Sequence, residues 1–190
     1  MNRKKTILST ENNDQDKTLN YSAKTDGLYT KDKFTETTNQ AKLANNDNAY
    51  ILYLNSALLD ESALIRKHSA QLLGELGPSA ALAVLNLAFC LKDTCAEVRE
   101  NAARALGQIN APSEFVTEAL CDAMSDFEPQ VRLQATITLG KLKVISIRIA
   151  LTLENALTDH DKSVKQAAQE ALDSLRKGKY GRFNNPLLVA

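Results

Sequence analysis

The chain repeats itself every 33 residues, and no other feature limits its fold so strictly. Ile65-Arg66, Val98-Arg99, Val131-Arg132 and Val164-Lys165 keep that interval. So do Leu73, Leu106, Leu139 and Leu172, and Leu54, Leu87, Leu120 and Leu153. Gly74, Gly107 and Gly140 keep it, as do Asp60, Asp93, Asp126 and Asp159, each six residues before the basic position. A fixed period in this range means supersecondary units that stack, each burying a face it could not bury alone.

The apolar positions within a unit have helical spacing, and glycine and proline are nearly confined to unit ends. Each unit divides into a helix A, a short turn at the aspartate, and a helix B that starts at the Val-Arg pair. In the second unit, helix A is expected from Ser79 or Ala80 to Lys92 and helix B from Glu97 to Ile109. Connections this short make the two helices antiparallel neighbours. Ser113, Ser146 and Asp47 are expected N-caps. Pro78 and Pro112 fall in inter-unit turns, where a missing N–H costs little.

The spacing D-x4-[VI]-[RK]-x2-[AS]-x3-L-G, behind an apolar helix, resembles HEAT repeats. It is most similar to the short bacterial type found in phycobilisome lyase subunits. The resemblance covers residues 46–177 as four units, 46–77, 78–110, 111–143 and 144–177. It implies an all-α fold, an α-solenoid wound as a right-handed superhelix of four helical hairpins. Ankyrin repeats share the period, but their T-P-L-H-x-A signature is missing. In HEAT repeats the matching Asp and Arg columns bond across the turns between successive units. Asp60, Arg66, Asp93, Arg99, Asp126, Arg132, Asp159 and Lys165 are therefore expected to form a structural ladder rather than a phosphate-binding one.

Helix B of the second unit lies in "CAEVRENAARALGQIN", a stretch built mostly of small residues. Val98, Ala102, Ala105, Leu106 and Ile109 share one stripe, expected to face the unit's own helix A. Ala103 and Gly107 lie well round from it, where smallness lets the next unit approach. The fourth unit carries Gln169 and Asp173 at the equivalent places, as a terminal capping repeat should.

Outside the repeats the pattern stops. Residues 1–45 are rich in Asn, Thr, Lys and Asp, with no apolar period, and are expected to be disordered or weakly ordered. Residues 178–190 form a tail, first basic and then apolar. Its basic end runs from Arg176 to Arg182.

Charge and chemistry narrow the function. Lysine plus arginine (23) equals aspartate plus glutamate (23), so no global field draws the chain to nucleic acid or an anionic membrane. No run approaches the roughly 18 apolar residues of a membrane span. Cys90, Cys95 and Cys121 form no CxxC pair, which points to a reducing, cytoplasmic setting. Cys90 shares its column with alanines and reads as core. Cys95 sits in a turn, and the column of Cys121 does not fix its exposure. His68 and His160 are read as solvent-facing, with no metal spacing. The HEAT-like deoxyhypusine hydroxylases are recognised by His-Glu pairs, whereas here Ser69 follows His68 and Asp161 follows His160. No metal, cofactor or catalytic residue is expected.

What remains is surface. The outward helix B positions are polar or charged in three units, while the third carries Leu133 and Ile137. That pair is read either as an apolar anchor for a partner or as packing against the fourth unit. Arg104, Leu133, Ile137 and Lys141 are the candidate partner-binding residues. The reading is a non-enzymatic protein–protein interaction module: a scaffold, adaptor or assembly factor. The resemblance also implies an alternative, an accessory subunit of a bilin lyase whose partner is a phycobiliprotein or another lyase subunit.

Overall fold

The computed structural model describes residues 34–39 and 47–177, and among these there is no strand. After a short helix α1 over residues 34–39, four helical hairpins follow in chain order. The first pairs α2 (Asp47–Ala57) with α3 (Ala63–Glu75). In the second, a 3-10 helix (Gly77–Ala83) runs into α4 (Val84–Cys90), which pairs with α5 (Ala96–Ile109). The third joins α6 (Glu114–Ala123) to α7 (Pro129–Leu142), and the fourth α8 (Ile147–Ala156) to α9 (Lys162–Lys177). Helices α3, α5, α7 and α9 pack side by side in one layer, and the A helices form the other.

The core lies between these layers. Leu54, Leu87, Leu120 and Leu153 are fully buried from the A side. Val98, Val131, Val164, Leu73, Leu106 and Leu139 meet them from the B side. Each such side chain contributes about 1.5–3 kcal/mol by leaving water.

Helix ends follow local chemistry. Ser113 accepts a hydrogen bond from the Val116 amide (3.2 Å) and Ser146 one from the Ile149 amide (3.1 Å), so both expected caps form. Asp47 opens α2, and its side chain lies outside the described residues. The second A helix departs from expectation. It starts at Gly77 as a 3-10 helix, with Pro78 in its first turn, and kinks at Ala80 before α4. Proline fixes its own φ and has no N–H to lose at a helix start, so it begins the helix instead of preceding it.

Each of the first three hairpins ends on a left-handed residue, and these recur at the repeat interval: Gly77 (φ 57), Asn110 (φ 54) and Lys143 (φ 52). The left-handed residue terminates helix B and turns the chain toward the next A helix. Glycine takes this conformation freely and asparagine tolerates it, but lysine is strained there.

The smallness of helix B has two causes rather than one. A Cβ on Gly107 would stand 2.8 Å from Thr138 Oγ1 in α7, and one on Gly140 2.9 Å from Ala171 Cβ in α9. Those glycines face forward, as expected. Ala105 corrects its expected position: its Cα would stand 3.0 Å from a Cβ on Gly74, so it faces back to α3 and not to its own A helix. Glycine on one helix thus meets a small residue on the next, and the helices close together.

The open first unit is covered. Phe34 is 5% exposed and stacks on Tyr53 with ring centroids 5.8 Å apart, while Thr38 is also buried. Within the segment 1–45, residues 34–39 thus form a helix seated on the first unit, because Tyr53 offers a ring that Phe34 can cover. The rest of 1–45, and the tail 178–190, lie outside the described residues.

Candidate partner-binding surface

The Asp and Arg columns form the ladder. Arg66 Nε and Nη2 donate to Asp93 at 2.6 and 2.8 Å, Arg99 to Asp126 at 2.6 and 2.8 Å, and Arg132 to Asp159 at 2.7 and 2.7 Å. The same guanidinium ties its own turn: Nη1 of Arg66, Arg99 and Arg132 reaches the carbonyls of Asp60, Asp93 and Asp126. Each aspartate also accepts a backbone amide two residues on, from Ser62, Cys95, Glu128 and Asp161 in turn. Burial pushes Asp93 and Asp126 upward, but the arginine and the amide outweigh it and hold both below the usual carboxylate range. The bond from Arg132 does the same for Asp159. Lys165, at the end of the column, is exposed.

These residues are consumed by structure, so the surface must be sought elsewhere. On the B layer, the three grooves between successive helices differ in what fills them. Gln108 lies over Gly74 in the groove between α3 and α5. Arg104 reaches from α5 toward Gln134 of α7 (3.5 Å) in the second, and pairs with Glu100 on its own helix. In the third, Ala167 and Ser174 stand where the earlier units carry Gln134 and Gln108. Neither side chain is long enough to close the gap. A cleft of about 360 Å³ remains between α7 and α9, lined by Ile137, Gly140, Lys141, Lys143, Ala167, Glu170, Ala171 and Ser174.

The structure therefore sorts the four candidates. Ile137 and Lys141 come together in the cleft. Leu133 is half-buried and packs on the core. Arg104 lies one groove away and is engaged with Glu100. Sequence reasoning missed Lys143, the other basic group of this cleft. Its signal was its place in the column of Gly77 and Asn110, where lysine is the odd residue.

A second missed feature is on the A layer. Among the described residues, exposed large apolar side chains gather on A helices and turns: Leu52, Leu82, Leu85, Phe89, Phe115, Ile147 and Leu151 among them. Phe89 and Phe115 meet edge to face across units, centroids 5.5 Å apart. Leu52, Leu85 and Leu151 share a repeat column, so the signal was present in the sequence.

The cysteines and histidines are placed as follows. Cys90 is buried, and burial pushes its thiol up to about 11. Cys121 is buried too, and its thiol is likewise raised, first by burial. Cys95 is half-buried, with Sγ donating to Glu97 Oε2 at 2.9 Å. His160 is exposed, but His68 is half-buried and partnered, which corrects its expected solvent-facing position. Histidines at the margin of a helix pack their rings as readily as they hydrate them. No helix among the described residues is long and apolar enough to cross a membrane.

Comparison with known proteins agrees with this architecture. Residues 51–117 match the family model described as HEAT repeats. No curated protein matches the sequence. Among solved structures, an engineered protein is similar at 22% identity and TM-score 0.61, over 77% of this chain and 71% of that one. Human deoxyhypusine hydroxylase in complex with glycerol is similar at 26% identity and TM-score 0.54, over 66% of this chain and 43% of that one. The complex of CpcE and CpcF of phycocyanin lyase from Nostoc sp. PCC7120 matches at 18% identity and TM-score 0.49, over 67% and 65%. A designed armadillo repeat protein is similar at 17% identity and TM-score 0.57, over 74% of this chain and 68% of that one. Residues 51–117 thus match HEAT repeats, and the described chain has the fold of the HEAT and armadillo solenoids.

Proposed function

We propose that this chain is a non-enzymatic protein-interaction module that seats a partner protein on its B-helix layer, at the cleft between α7 and α9. The observation that carries the reading is the open groove at Ile137, whereas Gln108 lies over the first groove and Arg104 reaches across the second. Its volume falls within the range of small binding pockets, and one apolar side chain of a partner would occupy it as an anchor. The ladder of part-buried ion pairs ties successive units together on either side. A cleft held this way keeps its shape before the partner arrives, which lowers the ordering cost of binding.

The test is affinity capture from the native organism with the full chain as bait, read by mass spectrometry, beside the Ile137→Ser variant. Partners captured by the first and lost by the second support the reading. An identical set from both removes the cleft as the docking site. Co-expression with phycobiliprotein subunits and bilin tests the alternative of a bilin lyase accessory subunit.

A further inference from the structure

We infer that the segment this cleft accepts is an acidic peptide: an apolar side chain enters between α7 and α9, and flanking carboxylates meet Lys141 and Lys143. This rests on the reading of the cleft as a docking site, and adds to it the chemistry of the occupant.

The floor is apolar and shallow, formed by Ile137, Gly140, Ala167 and Ala171. Its rim is charged unevenly. Lys141 and Lys143 are both exposed, and neither forms an ion pair with a described residue. Glu170 opposite accepts a hydrogen bond from Gln166 Nε2 at 2.9 Å but keeps its charge, so the rim sets two cations against one anion. An incoming carboxylate finds two free ammonium groups, whereas an incoming lysine or arginine meets them as like charges.

The backbone gives an independent argument. Position 143 is left-handed, like its equivalents Gly77 and Asn110, which bear that conformation at little cost. Lysine is the one member of the column that is strained there, and the one that borders an open cleft. A side chain kept at a strained position points to a use other than folding. Lys141 has a simpler structural account, since a cation in the last turn of α7 favours the helix dipole. Lys143 has none.

The experiment titrates the full chain with synthetic peptides carrying one leucine or phenylalanine flanked by Asp and Glu, by Lys and Arg, or by Ser. Binding is followed by backbone amide NMR shifts. The acidic peptides should bind about tenfold more tightly than the basic ones, with shifts on α7 and α9 and a weakening as salt rises. Lys143→Asn should leave a fold at least as stable and reduce acidic-peptide affinity several-fold. Ser174→Gln, which supplies the side chain that covers the first groove, should abolish binding in both series. Equal affinity for acidic and basic peptides overturns the inference, as does an unaffected Lys143→Asn variant or shifts mapping away from α7 and α9. If lysate capture still depends on Ile137 while the peptides show no charge preference, the docking site stands and the acidic occupant is wrong.

Discussion

Arg99 and Asp126 are joined by two hydrogen bonds, Nε to Oδ2 at 2.6 Å and Nη2 to Oδ1 at 2.8 Å, across the boundary between the second and third units. Their side chains are 14% and 9% exposed. Nη1 of the same arginine closes its own turn on the Asp93 carbonyl at 2.8 Å. One guanidinium therefore sets both the turn inside a unit and the distance to the next.

Removing one partner strands the other in a poorly hydrated place. Asp126→Ala should cost about 1.5–3 kcal/mol in denaturant unfolding, the scale of hydrogen bonds to charged groups at a part-buried site. Arg99→Lys should recover little, because an ammonium cannot hold a carboxylate in two bonds and a carbonyl at once. Lys165→Ala, at the exposed end of the column, should cost well under about 1 kcal/mol. Equal losses at Asp126 and Lys165 would show that the ladder does not hold the stack.

The ladder also sets a response to acid. Asp93, Asp126 and Asp159 are held below the ordinary range in the folded chain. A depressed folded value gives stability that is present above the unfolded aspartate value of about 3.9 and lost as pH falls through the folded one. The urea midpoint should therefore hold from neutral pH down to about pH 5 and drop below about pH 4. In Asp126→Asn the drop should be shallower, since one of the three groups no longer titrates.

The glycine column makes a graded prediction. Gly140→Ala places a Cβ 2.9 Å from Ala171 Cβ and 3.1 Å from its Cα, and a backbone atom cannot swing aside. Gly107→Leu drives into Thr138, whose Oγ1 donates to the Ala103 carbonyl at 2.8 Å. Each should lower stability by about 1–3 kcal/mol through overpacking. Asp173→Leu, at the equivalent place in the fourth unit, should change the melt little, since Asp173 is only partly buried and bonds to Gln169 on the same helix.

How much of this was legible depended on whether a residue obeys the repeat. The ladder, the buried leucines and the forward-facing glycines could be read from columns, since a residue repeated in register has a repeated environment. The exceptions could not. Phe34 has no column, so its burial against Tyr53 required the fold. Ala105 and Gly107 are both small, and only the stack shows that one faces back and the other forward. The cleft arises from residues that are absent in size, Ala167 and Ser174, and shortness in a column looks innocuous until the neighbouring helix is placed. Lys143 needed the φ angle before its column had a meaning.

Helix α1 covers the first unit, so removing it should be felt. A chain shortened to begin at Ala44 uncovers Tyr53 and loses Phe34, and should be about 2–3 kcal/mol less stable while keeping its helical circular dichroism. An unchanged melt would mean that residues 34–39 contribute no net stability. Phe34→Ala in the full chain should reproduce most of the loss, which separates the ring from the rest of the segment.

Leu133 and Ile137 sit one helical turn apart on α7, but the structure gives them different work. Leu133 packs on the core, so Leu133→Ala should destabilise by about 2 kcal/mol, the lower end for truncating a packed leucine. Ile137 borders the open cleft, where truncation removes contact with a partner rather than with the fold. Ile137 is half-buried but does not pack on the core, so Ile137→Ala should lower stability by less than Leu133→Ala, about 1 kcal/mol or less. Binding of a captured partner should nevertheless weaken by about 1 kcal/mol or more, the scale of an interface anchor. Thermal melts and titrations of the two single variants read the two quantities separately. A large loss of stability from Ile137→Ala would mean that its side chain is spent on holding α7 against α9, and the cleft would then be a packing fault and not a site.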